Sequence, residues 1–207
     1  MNITSLKSYK TGKTIFSGPY ADIVACLEDA VQKRINLEYV DLSHQNLSNA
    51  NLDEAHMPYA DFTGCNLSGV NLSESNLRMS KFQHACLYNS YFCYSDLYGC
   101  DFINTDFGAT NIVGADMQCC KFSTLSCFSL DFVDVGSLAG SQFHHVNGNI
   151  YPMSNSPIVI KGIFNTPIVI MDSVVQIGRN TFPRNDIPVT KLLGHIAAVP
   201  VDIKTVS

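Results

Sequence analysis

Cysteine, histidine and carboxylate side chains carry whatever chemistry this chain could perform. Eight cysteines and six histidines stand in 207 residues. Cys119-Cys120 with Cys127, or the pair His144-His145, has the residue types of a zinc site. Such sites usually gather their ligands in spaced pairs, and no Cys-x-x-Cys occurs here. Nucleophilic catalysis would need a cysteine or serine tied to a histidine and an orienting group, and nothing in the spacing ties them. "GKT" at Gly12 to Thr14 looks like the end of a phosphate-binding loop. The glycine required five residues earlier is replaced by Lys7. No catalytic residue, cofactor or metal ion is expected, so the chain reads as a non-enzyme. What is left is the acidic residues and the way they recur.

The recurrence has a period of five. From Leu37 to Phe122 every fifth residue is large and apolar, eighteen times without exception. Cys127 and Phe132 extend the series and Ser137 breaks it. Two residues before each large residue sits a small or β-branched one in most repeats, such as Ala50, Cys65, Ser80 or Thr105. Between the two stands Asn or Asp in most repeats: Asn46, Asn51, Asp61, Asn66, Asn71, Asn76, Asp96, Asp101, Asp106, Asn111 and Asp116. Neither a helix, near 3.6, nor a strand, near 2, has this period alone. Residues two apart on an extended segment point the same way, so the small and large residues face inward and the Asn or Asp faces out. The other two positions are often turn formers, as in Thr63-Gly64 and Ser68-Gly69. Each five is a short extended piece and a corner, and such a chain must coil.

These motifs resemble the pentapeptide-repeat family: a small residue, Asp or Asn, Leu or Phe, then two variable residues. The resemblance covers Ile35 to about Val133. It implies an all-β solenoid, a right-handed four-sided β-helix of about five coils with four repeats each. Every twentieth residue then forms one internal column: Leu42, Phe62, Phe82, Phe102, Phe122. At about 4.8 Å per coil the rod would be roughly 24 Å long.

The flanks suggest the remaining organisation. Residues 1–34 are expected to supply an N-terminal strand ("KTGKTIF") and a helix cap. Ile23, Val24, Leu27, Ala30 and Val31 form that helix's apolar stripe. Residues 35–135 are the β-helix. Residues 136–207 hold a slipped register (Leu138, Phe143) and a β hairpin or small sheet from "SPIVIKGIFNTPIVIMDSVVQIG". A tail follows, with a short helical candidate, "VTKLLGHIAAV". The head and tail around the repeats resemble pentapeptide-repeat proteins of bacteriophages and bacteria.

Composition narrows the function. Charged residues are 15% and apolar ones 46%, which excludes disorder. The net charge of −5 disfavours direct nucleic-acid binding. No apolar run is long enough for a membrane span, and the N-terminus lacks an export signal core. A cytoplasmic setting follows, with reduced cysteines serving as small buried hydrophobes. Residues 35–135 hold twelve acids and three bases, a net −9. Two readings stay open. In one, the carboxylates only brace corners of a soluble scaffold. In the other, the acidic surface mimics DNA and binds a protein partner through Asp61, Asp96, Asp101, Asp106, Asp116 and Asp131. The family resemblance implies a DNA-handling enzyme as that partner, either a gyrase-like topoisomerase or a host nuclease. An interaction module that binds through the C-terminal β region is the alternative, and homodimerisation is left open.

Overall fold

The computed structural model describes residues 3–160, 168–177 and 180–184. The tail helix expected at 189–199, and the turn expected at 164–167, lie outside them. The chain divides into two compact units, residues 1–156 and 157–207.

In the first unit, β1 (Thr4–Lys7) and β2 (Thr14–Gly18) form an antiparallel hairpin, followed by α1 (Ile23–Gln32). Asp22 caps α1, its carboxylate accepting from the Ala25 amide. The helix buries Cys26, Leu27 and Ala30. The stripe had included Leu27 and Ala30 but not Cys26, a small side chain that packs like an apolar one. The strand seen in the sequence as "KTGKTIF" starts only at Thr14, because residues 8–13 form the hairpin turn. β1 itself carried no such sequence signal. Past the hairpin, Lys7 O accepts the Asp41 amide at 2.8 Å, and the Glu28 carboxylate accepts the Asn51 amide at 2.8 Å.

The repeat region then coils with a strict interval. Parallel bridges join Asp41 to Asp61, Asn46 to Asn66, Asn51 to Asn71 and His56 to Asn76, and each series continues twenty residues at a time. Four five-residue sides therefore complete one coil. All eighteen large residues of the series are buried. Phe62, Phe82, Phe102 and Phe122 stack with centroids 4.9, 5.1 and 5.7 Å apart, as the twenty-residue column required.

Each corner is a four-residue turn. Val40 N–H, for example, donates to Leu37 O, with Tyr39 at φ 60° in the third place. A positive φ there is the mark of a type II turn, which favours glycine. Several corners do use glycine, but Tyr39, His44, Glu54, Tyr59, Glu74, Met79 and Tyr94 also take the left-handed conformation. Stacking of identical corners holds them there, at a cost ordinary loops rarely carry.

The small inward position also has a polar task. Ser75, Ser80, Ser95, Thr105, Cys100 and Cys120 each donate to the carbonyl of the large residue 23 positions earlier. This satisfies a buried acceptor with a small side chain, which explains Ser, Thr and Cys at that place.

The ladder ends in three changes. β3 (Asp101–Phe102) and β4 (Lys121–Ser123) pair in parallel on the twenty-residue interval. α2 (Thr124–Ser129) then replaces the extended side expected around Cys127, although Cys127 and Phe132 remain buried. A capping box at Ser123 and Ser126 starts this helix. Beyond it the interval becomes twenty-one: Asp116 bridges Ser137, and Phe122 pairs with Phe143 on β5 (Gln142–His144). That is the slipped register expected at Leu138 and Phe143. β6 (Ile150–Pro152) pairs antiparallel with β5 and completes the sheet β3-β4-β5-β6.

The second unit contains β7 (Ile158–Ile160), β8 (Ile168–Ile170), β9 (Val174–Ile177) and β10 (Asn180–Pro183). They form one antiparallel sheet in the order β10-β9-β8-β7. This matches the small sheet expected from the two "PIVI" segments.

Candidate functional site

The Asn and Asp position faces out and braces its own corner. At most of these residues one side-chain oxygen accepts the amide two residues later. Asp61 takes Thr63 N–H at 3.0 Å, Asp96 takes Tyr98 at 3.1 Å, Asp101 takes Ile103 at 3.1 Å, Asp116 takes Gln118 at 3.0 Å, and Asp131 takes Val133 at 3.2 Å. Asn46, Asn66, Asn71 and Asn76 do the same. The bracing role anticipated for these residues is therefore met, with the second carboxylate oxygen of each Asp, or the NH2 of each Asn, left for other partners.

Coiling distributes the six candidate carboxylates over four sides. Asp61 and Asp101 lie on the first side, in a column that reads Asp41, Asp61, Lys81, Asp101, Lys121. Here acids meet bases. Lys81 Nζ lies 2.8 Å from Asp61 and Lys121 Nζ 3.7 Å from Asp101. Partial burial alone would raise the Asp61 pKa, but the Lys81 ammonium and the Thr63 hydroxyl and amide outweigh it and hold the carboxyl below its ordinary value. The Asp61 bond holds Lys81 above its own ordinary value. An open groove of about 570 Å³ runs along this column, lined by Ser43, His44, Asp61, Lys81, Asp101 and Lys121 among others. Asp106 lies on the second side. Asp96 and Asp116 lie on the fourth, where Arg78 pairs with Asp96 at 3.1 Å and stacks 4.2 Å over the Tyr98 ring. Asp131 belongs to the third side.

The third side is unlike the others. It carries five of the region's twelve acids, Asp53, Glu54, Glu74, Asp131 and Asp134, and no base. All five are exposed, whereas Asp61, Asp96, Asp101, Asp106 and Asp116 are half-buried. Sequence reasoning had named Asp131 alone among these five. The other four stand at variable positions of the repeat, so the Asn/Asp register did not select them. Sorting acids by residue number within each twenty would have found them.

The metal and nucleophile candidates separate in the fold. Cys120 and Cys127 are buried in the core and Cys119 is exposed. Burial pushes the Cys120 and Cys127 thiols well above their ordinary pKa, and Cys65 is pushed up to about 12. Among the described residues, no three His, Cys, Asp or Glu side chains converge to hold a metal ion, and no helix is long and apolar enough to cross a membrane.

The family model for pentapeptide repeats matches residues 35–73, 59–92 and 94–124, in eight copies. These residues of the chain are pentapeptide repeats. Members of the family fold as right-handed four-sided β-helices. Among solved structures, the chain is similar to Rfr23 from the cyanobacterium Cyanothece 51142 at 17% identity, covering 52% of this chain and 83% of that one, with a TM-score of 0.43. It is similar to alr5209 from Nostoc PCC 7120 at 22% identity, covering 58% and 94%, with a TM-score of 0.40. It is also similar to full-length QnrB1, a plasmid-mediated fluoroquinolone resistance protein, at 19% identity, covering 51% and 61%, with a TM-score of 0.27. No curated protein matches the chain.

Proposed function

We propose that this chain is a non-catalytic interaction protein. Its acidic repeat region occupies the DNA-binding surface of a DNA-handling enzyme, a gyrase-like topoisomerase or a nuclease, and modulates that enzyme. The observation that carries the reading is charge on a regular lattice. A net −9 over residues 35–135 sits on coils that repeat the same corner every twenty residues. Duplex DNA carries one charge per about 1.7 Å. Five coils at about 4.8 Å each carry one net charge per about 2.7 Å. A channel lined with Lys and Arg for phosphates meets a comparable field here. The N-terminal hairpin and α1 serve as the cap of the first coil, which their bonds to Asp41 and Asn51 support. The setting is the bacterial cytoplasm, whether a bacterium or a phage encodes the protein.

The test is competition. Full-length protein is titrated into a complex of labelled duplex with DNA gyrase, and separately with a DNA nuclease, at low salt. Displacement of duplex from at least one enzyme, weakening as salt rises, is the expected result. Failure to displace duplex from either enzyme at low salt overturns the reading.

A second reading rests on the C-terminal sheet. Its strand β7 stands at the end of the described sheet order and exposes 57% of Ile158. An edge of this kind can add a partner strand. Partner capture that tolerates salt and is lost in Ile158→Lys would favour this sheet over the repeat region.

A further inference from the structure

The third side of the coil also carries the molecule's most exposed tyrosines. Tyr91 is 49% exposed and Tyr94 68%. Tyr88, 51% exposed, stands in the corner Leu87–Ser90 that leads onto this side. Exposed apolar side chains carry meaning when they cluster, and tyrosine is enriched where proteins bind each other.

The sequence of the next coil makes room for two of these rings. A Cβ added at Gly114 would come within 2.4 Å of Tyr94 Cδ1, and one at Gly108 within 2.2 Å of Tyr88 Cε2. The Tyr94 and Tyr88 rings therefore occupy the space that a side chain would take on the coil above. They lie over the glycines of that coil, which leave them room against the surface.

Charge decides what these rings can meet. Tyr94 belongs to the corner column Glu54, Glu74, Tyr94, Gly114, Asp134, linked coil to coil by backbone hydrogen bonds. Exposed carboxylates thus stand on both sides of the ring. Arg34 pairs with Glu54 at 3.3 Å at the far end of this column. A second copy of this side would be repelled by five like charges. A guanidinium suits both groups at once: its plane stacks on a tyrosine while its N–H fork donates to a carboxylate.

We propose that this third side, centred on Tyr91 and Tyr94, is the docking surface, and that its occupant is an arginine-rich segment of the partner protein. The proposal rests on the reading of the repeat region as the contact and specifies which of its four sides makes that contact. Arginine outcompetes lysine there, because an ammonium has no plane to stack on the rings.

Full-length protein is titrated calorimetrically with an oligo-arginine peptide and an oligo-lysine peptide of equal length. The arginine peptide should bind more tightly. Tyr91→Ser with Tyr94→Ser should remove that preference, with about a two- to fivefold loss for each ring, while leaving lysine binding nearly unchanged. Glu74→Gln with Asp134→Asn should weaken both peptides by roughly tenfold at low salt. Asp106→Asn with Asp116→Asn, the same charge change on other sides, should weaken them far less. Circular dichroism checks that each variant stays folded. Equal losses in the two charge variants, or an arginine preference that survives without the tyrosines, overturn the proposal. Those outcomes leave the competition with DNA untouched, so the two readings fail separately.

Discussion

At the residue scale, the repeat gives each of its five positions one job. The Asn/Asp position donates no chemistry of its own, because one oxygen already accepts the amide two residues on. Asp116→Asn should therefore leave the melting temperature nearly unchanged, while Asp116→Ala should cost about 1 kcal/mol, the worth of one hydrogen bond. Differential scanning calorimetry separates the two. Gly114 is constrained in two ways, by φ +68° and by the Tyr94 ring. Gly114→Ala should cost about 1–2 kcal/mol for left-handed backbone and should also unseat Tyr94, visible as a change in tyrosine fluorescence. The cysteines divide by position. Cys26, Cys65, Cys100, Cys120 and Cys127 are buried, Cys86 and Cys93 half-buried and Cys119 exposed. A thiol reagent should label Cys119 quickly in native protein and Cys86 and Cys93 more slowly, with the other five reacting after denaturation. Prompt native labelling of Cys100 or Cys120 would contradict the packing described here.

At the scale of elements, the coil depends on columns more than on strands. Most sides pair through isolated bridges, so burial of the columns dominates their stability. Phe82 touches Phe62, Phe92 and Phe102. Phe82→Ala should cost about 3–5 kcal/mol, because the stacked neighbours cannot collapse into the space of a lost ring. Denaturant titration measures it, and a loss under 1 kcal/mol would show that the column is not tightly packed. The repeat columns were legible in sequence because eighteen inward positions obey one period. α2 was not. Its six residues keep Cys127 at an inward place, so periodicity reports an unbroken side, and only the Ser123–Ser126 capping box distinguishes a helix. β1 was missed because "TSLK" has no alternation strong enough to mark an edge strand before its hairpin partner is known.

At the scale of the molecule, charge couples the sides to pH. His144 is held below its ordinary pKa by burial first and then by the nearby Lys121 charge. The fold thus favours neutral imidazole, and the unfolded chain takes up the proton first. Stability from this group is complete above about pH 6.5 and falls as pH drops below it. Asp61, held below the ordinary carboxyl range, keeps its contribution until pH falls below about 4. Melting temperatures recorded from neutral to acidic pH should show two declines. His144→Gln should abolish the upper one and Asp61→Asn reduce the lower one. A profile unchanged by His144→Gln would show that another group is responsible.

The amino-acid sequence by itself determined the coil: the period, the inward columns, the phenylalanine stack and the slip after Gly136 all follow from which side chains can be buried at a spacing of five. It also determined the net −9, since charge is a count. What the tertiary structure decided is where that charge goes. Residues twenty apart become neighbours only once the chain has coiled, so Lys81 and Lys121 quench Asp61 and Asp101, while Asp53, Glu54, Glu74, Asp131 and Asp134 collect beside Tyr91 and Tyr94. Along the chain those acids lie up to 81 residues apart and occupy three different positions of the repeat. Four sides per coil bring them onto one surface.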